Sequence, residues 1–299
     1  MNLVSMPEIA AARQALPVTQ TPFVVVTGGK GGVGKTLLAA NLSIELSRRG
    51  LRVLLVDLDL GLANLNVLMR LSSARNVEDA LCGRCSFADC VVQGPGGVNV
   101  LPAGSGTLDM GRPDAARRAR LFEGLAGLSC EYDIVLGDSA AGIGPDVLAA
   151  CAIADRVLVV TTPQPAALTD AYGLIKALHT FGEESGREVP TPELVINQAR
   201  SIEEAELTAT KLRAVCERFL ARSPRKAGWM TASASIARSA VTQRLFALGA
   251  PGAPGALGPP GSASATGRDR SLALACLTQL AARIEQLCTG PRLATGLKG

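Results

Sequence analysis

The stretch FVVVTGGKGGVGKT, residues 23–36, decides the fold of this 299-residue chain. Residues 23–27 form an apolar run of the kind that makes a strand buried on both faces of a sheet. Residues 29–36 match the phosphate-binding loop pattern G-x-x-x-x-G-K-[ST], and a helical pattern runs from residue 35 to residue 49. The motif therefore stands directly after a predicted strand and at the start of a predicted helix. This context predicts a site for the phosphates of a nucleotide.

The residue types in the loop suit that ligand. Glycines allow backbone N–H groups to turn inward around phosphate oxygens, and the helix that follows directs its positive end at the same anion. Lys35 is expected to reach the β- and γ-phosphates, and the Thr36 hydroxyl to ligate Mg²⁺. Lys30 is either a solvated side chain or a cation offered to another subunit's nucleotide, like an arginine finger. The predicted binding residues are Gly29, Lys30, Gly31, Gly32, Val33, Gly34, Lys35 and Thr36.

Short apolar runs alternate with helical patterns along the rest of the chain. Strands are predicted at residues 23–27, 53–56, 98–101, 133–136, 156–160 and 193–196, and helices at 35–49, 114–128, 146–153, 167–181, 202–220 and 270–287. This alternation predicts a single α/β domain of the P-loop NTPase type, with a mostly parallel, doubly wound sheet and helices on both faces. The domain is expected to span residues 21–288. A flexible leader (1–20), a Gly/Pro-rich insertion (249–267) and a flexible tail (289–299) complete the chain.

Composition excludes several classes of protein. Apolar residues make up 47% and charged residues 19%, which is enough for a buried core and argues against a disordered chain. The net charge of +4 is too small for a dedicated nucleic-acid binder, so DNA is an unlikely partner. No apolar run approaches the roughly 18 residues of a membrane span, and residues 1–20 do not resemble a secretory signal. We therefore expect a cytoplasmic protein with reduced cysteines.

Aspartates follow two of the predicted strands. Asp57 and Asp59 come after the second strand, and Asp138 follows the strand at 133–136. Phosphate-loop chemistry needs carboxylates at the C-terminal ends of strands beside the loop strand, to hold Mg²⁺ and to place the attacking water. Asp57 and Asp59 stand two residues apart and so face the same side in an extended backbone. The alternative for each aspartate is a turn or cap residue.

The cysteines Cys82, Cys85 and Cys90 form the pattern C-x-x-C-x-x-x-x-C. A structural zinc site needs four ligands, usually from two paired motifs. The chain has no second C-x-x-C, and its only histidine is His179. We therefore expect small, partly buried residues here and no metal site.

Several motifs of the chain resemble those of a known family. KGGVGKT (Lys30–Thr36) resembles the deviant P-loop of the MinD/ParA family of ATPases, and DLDLGLANLNVLM (Asp57–Met69) resembles that family's switch segment. YDIVLGDSAAGI (Tyr132–Ile143), ADRVLVVTTPQPAALTDAYGLIK (Ala154–Lys176) and GPGGVNVLPAGSG (Gly94–Gly106) are more similar to the FlhG/FleN flagellar-number regulators than to division-site MinD or plasmid ParA. The resemblance covers about residues 21–247.

The resemblance implies an ATP-driven switch that needs Mg²⁺. ATP binding would close a homodimer with two nucleotides between the subunits, and slow hydrolysis, set by partners, would open it. Lys30 would touch the nucleotide of the other subunit, and Asp59 would position or activate the water. Asn197, at the end of the strand 193–196, falls where family members contact adenine. The implied catalytic residues are Lys30, Lys35 and Asp59, and the implied metal-binding residues are Thr36, Asp57 and Asp138.

The chain also departs from the family pattern. Thr231 and Ser233 stand where the family usually has Pro-x-Asp near the adenine, which predicts weaker or less selective base recognition. Residues 7–16 have helical character but lack the Asp-Gln-Ala motif with which FlhG-like proteins stimulate a partner GTPase. Gly290, Pro291 and Gly296 interrupt the tail, where MinD and FlhG proteins often carry a membrane-binding helix. Peripheral contact with the inner face of the cell membrane stays an alternative.

These observations favour a cytoplasmic switch that controls flagellar number or placement, with a protein partner such as a flagellar GTPase or a transcription regulator. One alternative is a ParA/MinD-type ATPase that positions another cargo, such as a secretion or pilus machine or a chromosome. For ParA-like DNA binding, the basic clusters at residues 117–120 and 222–226 are the candidates. Another alternative is a non-hydrolysing scaffold that uses nucleotide only as structure.

Overall fold

The computed structural model describes residues 21–61, 64–104, 114–186, 188–248 and 265–289. Its strands are β1 (Phe23–Gly28), β2 (Val53–Asp57), β3 (Val92–Gln93), β4 (Asn99–Leu101), β5 (Ile134–Ala141), β6 (Arg156–Thr161), β7 (Glu193–Ala199) and β8 (Arg225–Thr231). Its α-helices are α1 (Lys35–Arg48), α2 (Asn64–Met69), α3 (Val77–Leu81), α4 (Ala115–Ser129), α5 (Pro145–Ile153), α6 (Pro165–Ser185), α7 (Ile202–Leu220), α8 (Ala234–Thr242) and α9 (Ala265–Thr289). Short 3₁₀ helices occupy Ala88–Cys90, Pro95–Gly97 and Phe246–Leu248.

The described strands form one sheet in the order β3-β4-β2-β5-β1-β6-β7-β8. Every neighbouring pair is parallel except β3 with β4. The chain leaves β1 toward β2 on one side and leaves β6 toward β7 on the other. Because crossover connections are right-handed, α1 and α6 lie on opposite faces of the sheet. The predicted fold, a mostly parallel sheet with helices on both faces, is confirmed.

The order of the strands determines where a ligand can bind. The β1 and β6 strands are neighbours, and the connections that follow them, β1 to β2 and β6 to β7, diverge to opposite faces. Such a change of direction opens a crevice at the C-terminal ends of the strands, where open α/β sheets bind their ligands. Residues 24–26 of β1 are fully buried, so the strand holds the following loop on a rigid base. The fold thus places residues 29–36 at the mouth of the crevice.

Helix α9 closes one face of the domain, as the periodicity of residues 270–287 predicts. Leu277, Leu280 and Ile284 are buried, and the Thr278 hydroxyl donates to Glu45 of α1 at 2.9 Å. The helix begins at Ala265, three residues inside the predicted insertion. The predicted leader at 1–20, residues 249–264 of the insertion and the predicted tail from residue 290 lie outside the described residues.

The structure differs from the sequence prediction at several elements: β5 is longer than predicted, and β3, β8, α2, α3 and α8 were not predicted. The β5 strand continues past residue 136 to Ala141, because pairing with β1 and β2 overrides the low strand propensity of the sequence GDSAA. The β8 strand was not expected, since RKAGWMT contains no continuous apolar run. Its formation depends on packing: Gly228 lies against Leu280 of α9, where an added Cβ would be 3.3 Å from a Leu280 methyl carbon.

Candidate functional site

The loop after β1 depends on its glycines for both shape and packing. Gly32 and Gly34 have φ angles of +79° and +93°, a region that favours glycine. A Cβ at Gly29 would lie 2.0 Å from the backbone oxygen of Asp170 in α6. Among the described residues, apart from its two chain neighbours, no atom lies within 4 Å of a Cβ built at Gly31. The loop is therefore tightly packed where it meets α6 and open on its outer side, where phosphates would enter.

The two lysines of this loop lie in opposite environments. Lys35 is only 8% exposed at the start of α1, whereas Lys30 is exposed. Burial lowers the pKa of Lys35, and the negative charges of Asp138 and Asp59 act in the opposite direction. Lys35 thus brings a buried cation to the carboxylates of the site, while Lys30 points its charge to the solvent side of the same loop.

The predicted carboxylates Asp57 and Asp138 are brought together by the sheet. They are paired in register at the ends of β2 and β5, and both are almost fully buried. Burial raises the pKa of Asp138 to about 7, while a hydrogen bond with Thr36 and the charge of Lys35 act in the opposite direction. Burial and the neighbouring Asp138 charge raise the pKa of Asp57 well above its usual value. Burial therefore favours the protonated form of both carboxyls unless a cation compensates their charge.

Asp59 lies just beyond β2, beside the buried pair. Its backbone N–H donates to Asp57 Oδ1 at 3.1 Å, and its side chain is half-buried and engaged in the site. Its charge contributes to the raised pKa values of both Asp57 and Asp138. The structure thus places all three predicted aspartates next to the phosphate-binding loop.

The arrangement fits a Mg²⁺ ion. Asp57 Oδ2 and Asp138 Oδ1 are buried oxygens without a hydrogen-bond partner among the described residues. Unpaired buried oxygens are costly unless a cation or a proton compensates them. The Thr36 hydroxyl, bonded to Asp138, adds a neutral oxygen. Mg²⁺ favours one or two protein carboxylates together with substrate phosphates and water. Thr36, Asp57 and Asp138 are thus the groups that would hold it.

The pKa of Asp138 predicts how the stability of the metal-free protein depends on pH. A carboxyl with a raised pKa favours the folded state while it is protonated, so its contribution declines as the pH rises from about 4 to about 7. The shift corresponds to a loss on the order of 4 kcal/mol. Chemical denaturation without Mg²⁺ should show this decline in the wild type and a flatter profile in Asp138→Asn. Parallel profiles of the two proteins would contradict the assignment.

Asn197 of β7 reaches the loop from a position 164 residues away in sequence. Its Nδ2 donates to the Val33 carbonyl at 2.7 Å, and its Oδ1 accepts from the Gln198 N–H at 2.9 Å. A Cβ at Gly34 would lie 2.3 Å from Nδ2. Asn197 therefore packs directly on the phosphate-binding loop, a contact that the sequence analysis missed.

A cavity of about 230 Å³ opens beside Asn197, at the ends of β6 and β7. It is lined by Thr162, Pro163, Gln164, Gln198, Arg200 and Glu204. Thr162, Pro163 and Gln164 belong to the stretch 154–176 that resembles the family, but none of the six residues was predicted as a site residue. Their position after two strands of a parallel sheet is the signal that could have found them.

Thr231 and Ser233, which depart from the family pattern, both have structural roles at the end of β8 and the start of α8. Thr231 is the buried last residue of β8, and Ser233 caps α8 by accepting from the N–H groups of Ser235 and Ile236. The Ser233 hydroxyl also contacts Asp269 Oδ2 of α9 at 2.7 Å. A carboxylate from α9 is thus held beside Ser233. The predicted effect on base recognition stays a prediction.

Two thiols of the three-cysteine pattern lie close together in the structure. Cys85 Sγ and Cys90 Sγ are 3.4 Å apart, and the Cys90 thiol donates to the Asn76 carbonyl at 3.0 Å. Burial raises the pKa of Cys90 to about 12, so its thiol is protonated at neutral pH. Within the described ranges, no cluster of three or more His, Cys, Asp or Glu residues is placed to hold a metal ion.

The comparisons with known proteins agree with this geometry. Residues 21–189 match a family model described as an AAA domain. The "Antiactivator FleN" of Pseudomonas aeruginosa is 38% identical over 221 residues, 74% of this chain and 77% of the relative. The "Flagellum site-determining protein YlxH" of Helicobacter pylori is 36% identical over 156 residues, which are 52% of this chain and 53% of that relative.

Solved structures show the same fold. The cell-division ATPase MinD of Pyrococcus furiosus superposes with a TM-score of 0.63 at 22% identity, over 89% of this chain and 99% of that one. MinD of Aquifex aeolicus superposes with a TM-score of 0.65 at 22% identity, over 89% of this chain and 97% of that one. With the phosphate-binding loop, its buried lysine and the paired aspartates in place, this chain belongs to the MinD/ParA family of P-loop ATPases and, within it, to the FlhG/FleN group.

Proposed function

We propose that this ATPase is a dimerising switch that hydrolyses ATP slowly and regulates the number or placement of flagella. The observation that carries the switch is the contrast between the two loop lysines. Lys35 is buried beside the carboxylates, whereas Lys30 is exposed in the same loop. A buried cation serves the phosphates of its own subunit, and an exposed one can serve those of a second subunit. The names of the two flagellar relatives support the cellular role.

The geometry supports a separate role for each site residue. Lys35 and the loop N–H groups hold the phosphates, while Thr36, Asp57 and Asp138 hold Mg²⁺. The metal, when bound, supplies positive charge to the phosphate oxygens. Asp59, half-buried beside this pair, orients the attacking water. Lys30 completes the site of the partner subunit after dimerisation.

Asn197 is proposed to contact adenine as well as the loop. An amide has two N–H donors and two acceptor lone pairs, and the two observed bonds use one of each. The remaining pair matches the donor and acceptor edge of adenine. For Asn197→Ala we expect about ten-fold weaker ATP binding with GTP binding affected less, measured by titration with both nucleotides. If Asn197→Ala weakens the binding of ATP and GTP equally, Asn197 supports the loop and does not contact adenine.

Location and partners are part of the proposal. Among the described helices, none is long and apolar enough to cross a membrane. We place the protein in the cytoplasm, with peripheral membrane contact and with a flagellar GTPase or a transcription regulator as its protein partner. DNA is not proposed as a partner, because two residues of the basic clusters are already paired: Arg118 with Asp146 and Lys226 with Glu206.

The cellular role can be tested by deleting the gene from a flagellated bacterium that carries it. Electron microscopy should show cells with an altered number or position of flagella, restored by the wild-type gene and not by Lys35→Ala. Normal flagellation together with misplaced septa, pili or chromosomes would favour a positioning ATPase for that other cargo.

A further inference from the structure

Two thiols meet in the segment between α3 and β3. Cys85 Sγ and Cys90 Sγ are 3.4 Å apart, although the two residues are separated by five positions in sequence. Cys90 is fully buried, whereas Cys85 is half-buried. A disulfide bond brings two sulfur atoms to roughly 2 Å and requires backbones that are already close. A short movement of the two side chains therefore suffices to join them.

Hydrogen bonds inside the turn bring the two cysteines together. The Ser86 N–H and hydroxyl both donate to Asp89 Oδ2, at 3.0 and 2.8 Å, and the Asp89 N–H donates to the Ser86 hydroxyl at 3.2 Å. The Cys90 N–H donates to the Phe87 carbonyl at 3.1 Å. These bonds close the backbone between the cysteines into a compact turn. The contact of the two sulfur atoms is thus built into the turn.

The turn is also fixed to the rest of the domain. Phe87 packs so closely on α4 that a Cβ at Gly124 would lie 2.2 Å from a ring carbon. The Cys90 thiol donates to the Asn76 carbonyl at 3.0 Å, and the same carbonyl accepts from the Asp79 N–H at 3.0 Å. Asn76 therefore keeps a hydrogen bond within α3 when Cys90 loses its hydrogen. Oxidation of the pair leaves α3 in place.

The cysteines of this segment differ in their access to solvent. A dissolved oxidant can reach the half-buried Cys85 but not the fully buried Cys90. Oxidation begins at accessible thiols, and a neighbouring cysteine then resolves the product. Cys82, three residues before Cys85, is exposed, and its thiol contacts the Arg84 guanidinium. Cys85 is thus placed to react first and Cys90 to react second.

We propose that Cys85 and Cys90 form a reversible disulfide when the protein meets a peroxide. The Cys85 thiolate attacks one peroxide oxygen, the O–O bond breaks, and a sulfenic acid forms while hydroxide leaves. The Cys90 sulfur then attacks the Cys85 sulfur, the S–O bond breaks, and the hydroxyl group leaves as water with the Cys90 proton. Two thiols and one hydrogen peroxide give one disulfide and two water molecules, and a thiol reductant reverses the reaction.

The sequence makes this proposal straightforward to test by peptide mass spectrometry. Cleavage after Arg84 gives a tryptic peptide that begins at Cys85, contains Cys90 and contains no other cysteine. The full-length wild type, without nucleotide, is treated with hydrogen peroxide, alkylated and digested without reductant. We expect this peptide to be two hydrogen masses lighter and to carry no alkyl group. Dithiothreitol should restore the alkylation of both cysteines.

Three variants separate the roles of the cysteines. Cys85→Ser should abolish the light peptide. Cys90→Ala should leave a Cys85 sulfenic acid that dimedone labels at least about five-fold more than in the wild type, because the resolving thiol is gone. Cys82→Ser is the matched control, since Cys82 is exposed in the same segment, and it should form the disulfide as the wild type does. Circular dichroism verifies the fold of each variant.

Several outcomes would overturn the proposal. One is a Cys85 peptide that stays fully alkylated while the exposed Cys130 is oxidised. Others are a bond between Cys82 and Cys85, or a dimedone label on Cys85 that Cys90→Ala does not change. Each would show that the two thiols are only packing neighbours. The wild type alone supplies the first two results, so the test does not depend on the folding of a variant, and neither cysteine belongs to the proposed nucleotide site.

Discussion

Lys35→Ala is expected to weaken ATP binding about a thousand-fold. Lys35 is 8% exposed, and the negative charges of Asp138 and Asp59 favour its charged form. Bound phosphates would add further negative charge, so removing this buried cation leaves anions without compensation. Breaking a buried charge pair costs about 3–5 kcal/mol. Isothermal titration with Mg-ATP measures the loss directly.

The fold of the Lys35→Ala variant should survive. The pKa values of Asp57 and Asp138 are already raised, so both carboxyls can accept protons in the absence of the lysine. Lys30→Ala is the matched control, because Lys30 lies in the same loop but is exposed. It should bind ATP within a few-fold of the wild type. A Lys35→Ala protein with wild-type affinity and an intact fold would show that the loop does not bind phosphate as argued.

Asp59→Ala should separate binding from turnover. Hydrolysis is expected to fall about 100- to 1,000-fold, the scale of a positioned acid–base group. ATP affinity should stay the same or rise slightly, since the charge of Asp59 opposes the ionisation of Asp57 and Asp138. Single-turnover phosphate release with saturating Mg-ATP measures the chemical step. Asp59→Asn tests whether the carboxylate itself is needed, because an amide can hold water but accepts no proton.

If Asp59→Ala hydrolyses ATP at a rate close to that of the wild type, another group orients the attacking water. An equal loss of affinity and turnover would instead make Asp59 a ligand-binding residue. The Asp59 backbone N–H donates to Asp57 Oδ1, so alanine preserves this hydrogen bond and leaves Asp57 and Asp138 in place.

Local patterns predicted the core of the site well. The buried β1 strand, the glycine loop and the start of α1 follow one another within residues 23–48. Each is determined by its own residues: β-branched side chains, glycines and a helical apolar period. The aspartates were predictable for a similar reason, because the ends of parallel strands meet at one edge of the sheet. Their mutual burial, however, depends on the register of β2 with β5.

Features that depend on distant packing were not predictable. Asn197 contacts Val33 across 164 residues, and no sequence pattern encodes that distance. The β8 strand forms where Gly228 lets α9 approach the sheet, although its sequence lacks an apolar run. Helix α8 was also not expected, because its apolar side chains are divided: Ile236 packs against the core, whereas Val241 is 85% exposed.

The most direct test of the switch is the oligomeric state of three proteins with Mg-ATP, measured by analytical ultracentrifugation. The wild type should form dimers that dissociate as ATP is consumed. Asp59→Ala should remain dimeric, because ATP binds and persists, and Lys30→Ala should bind ATP and stay monomeric, because the cation offered across the interface is gone. If all three proteins remain monomeric at micromolar concentration with ATP demonstrably bound, the dimerising switch is contradicted and a nucleotide-bound scaffold is favoured.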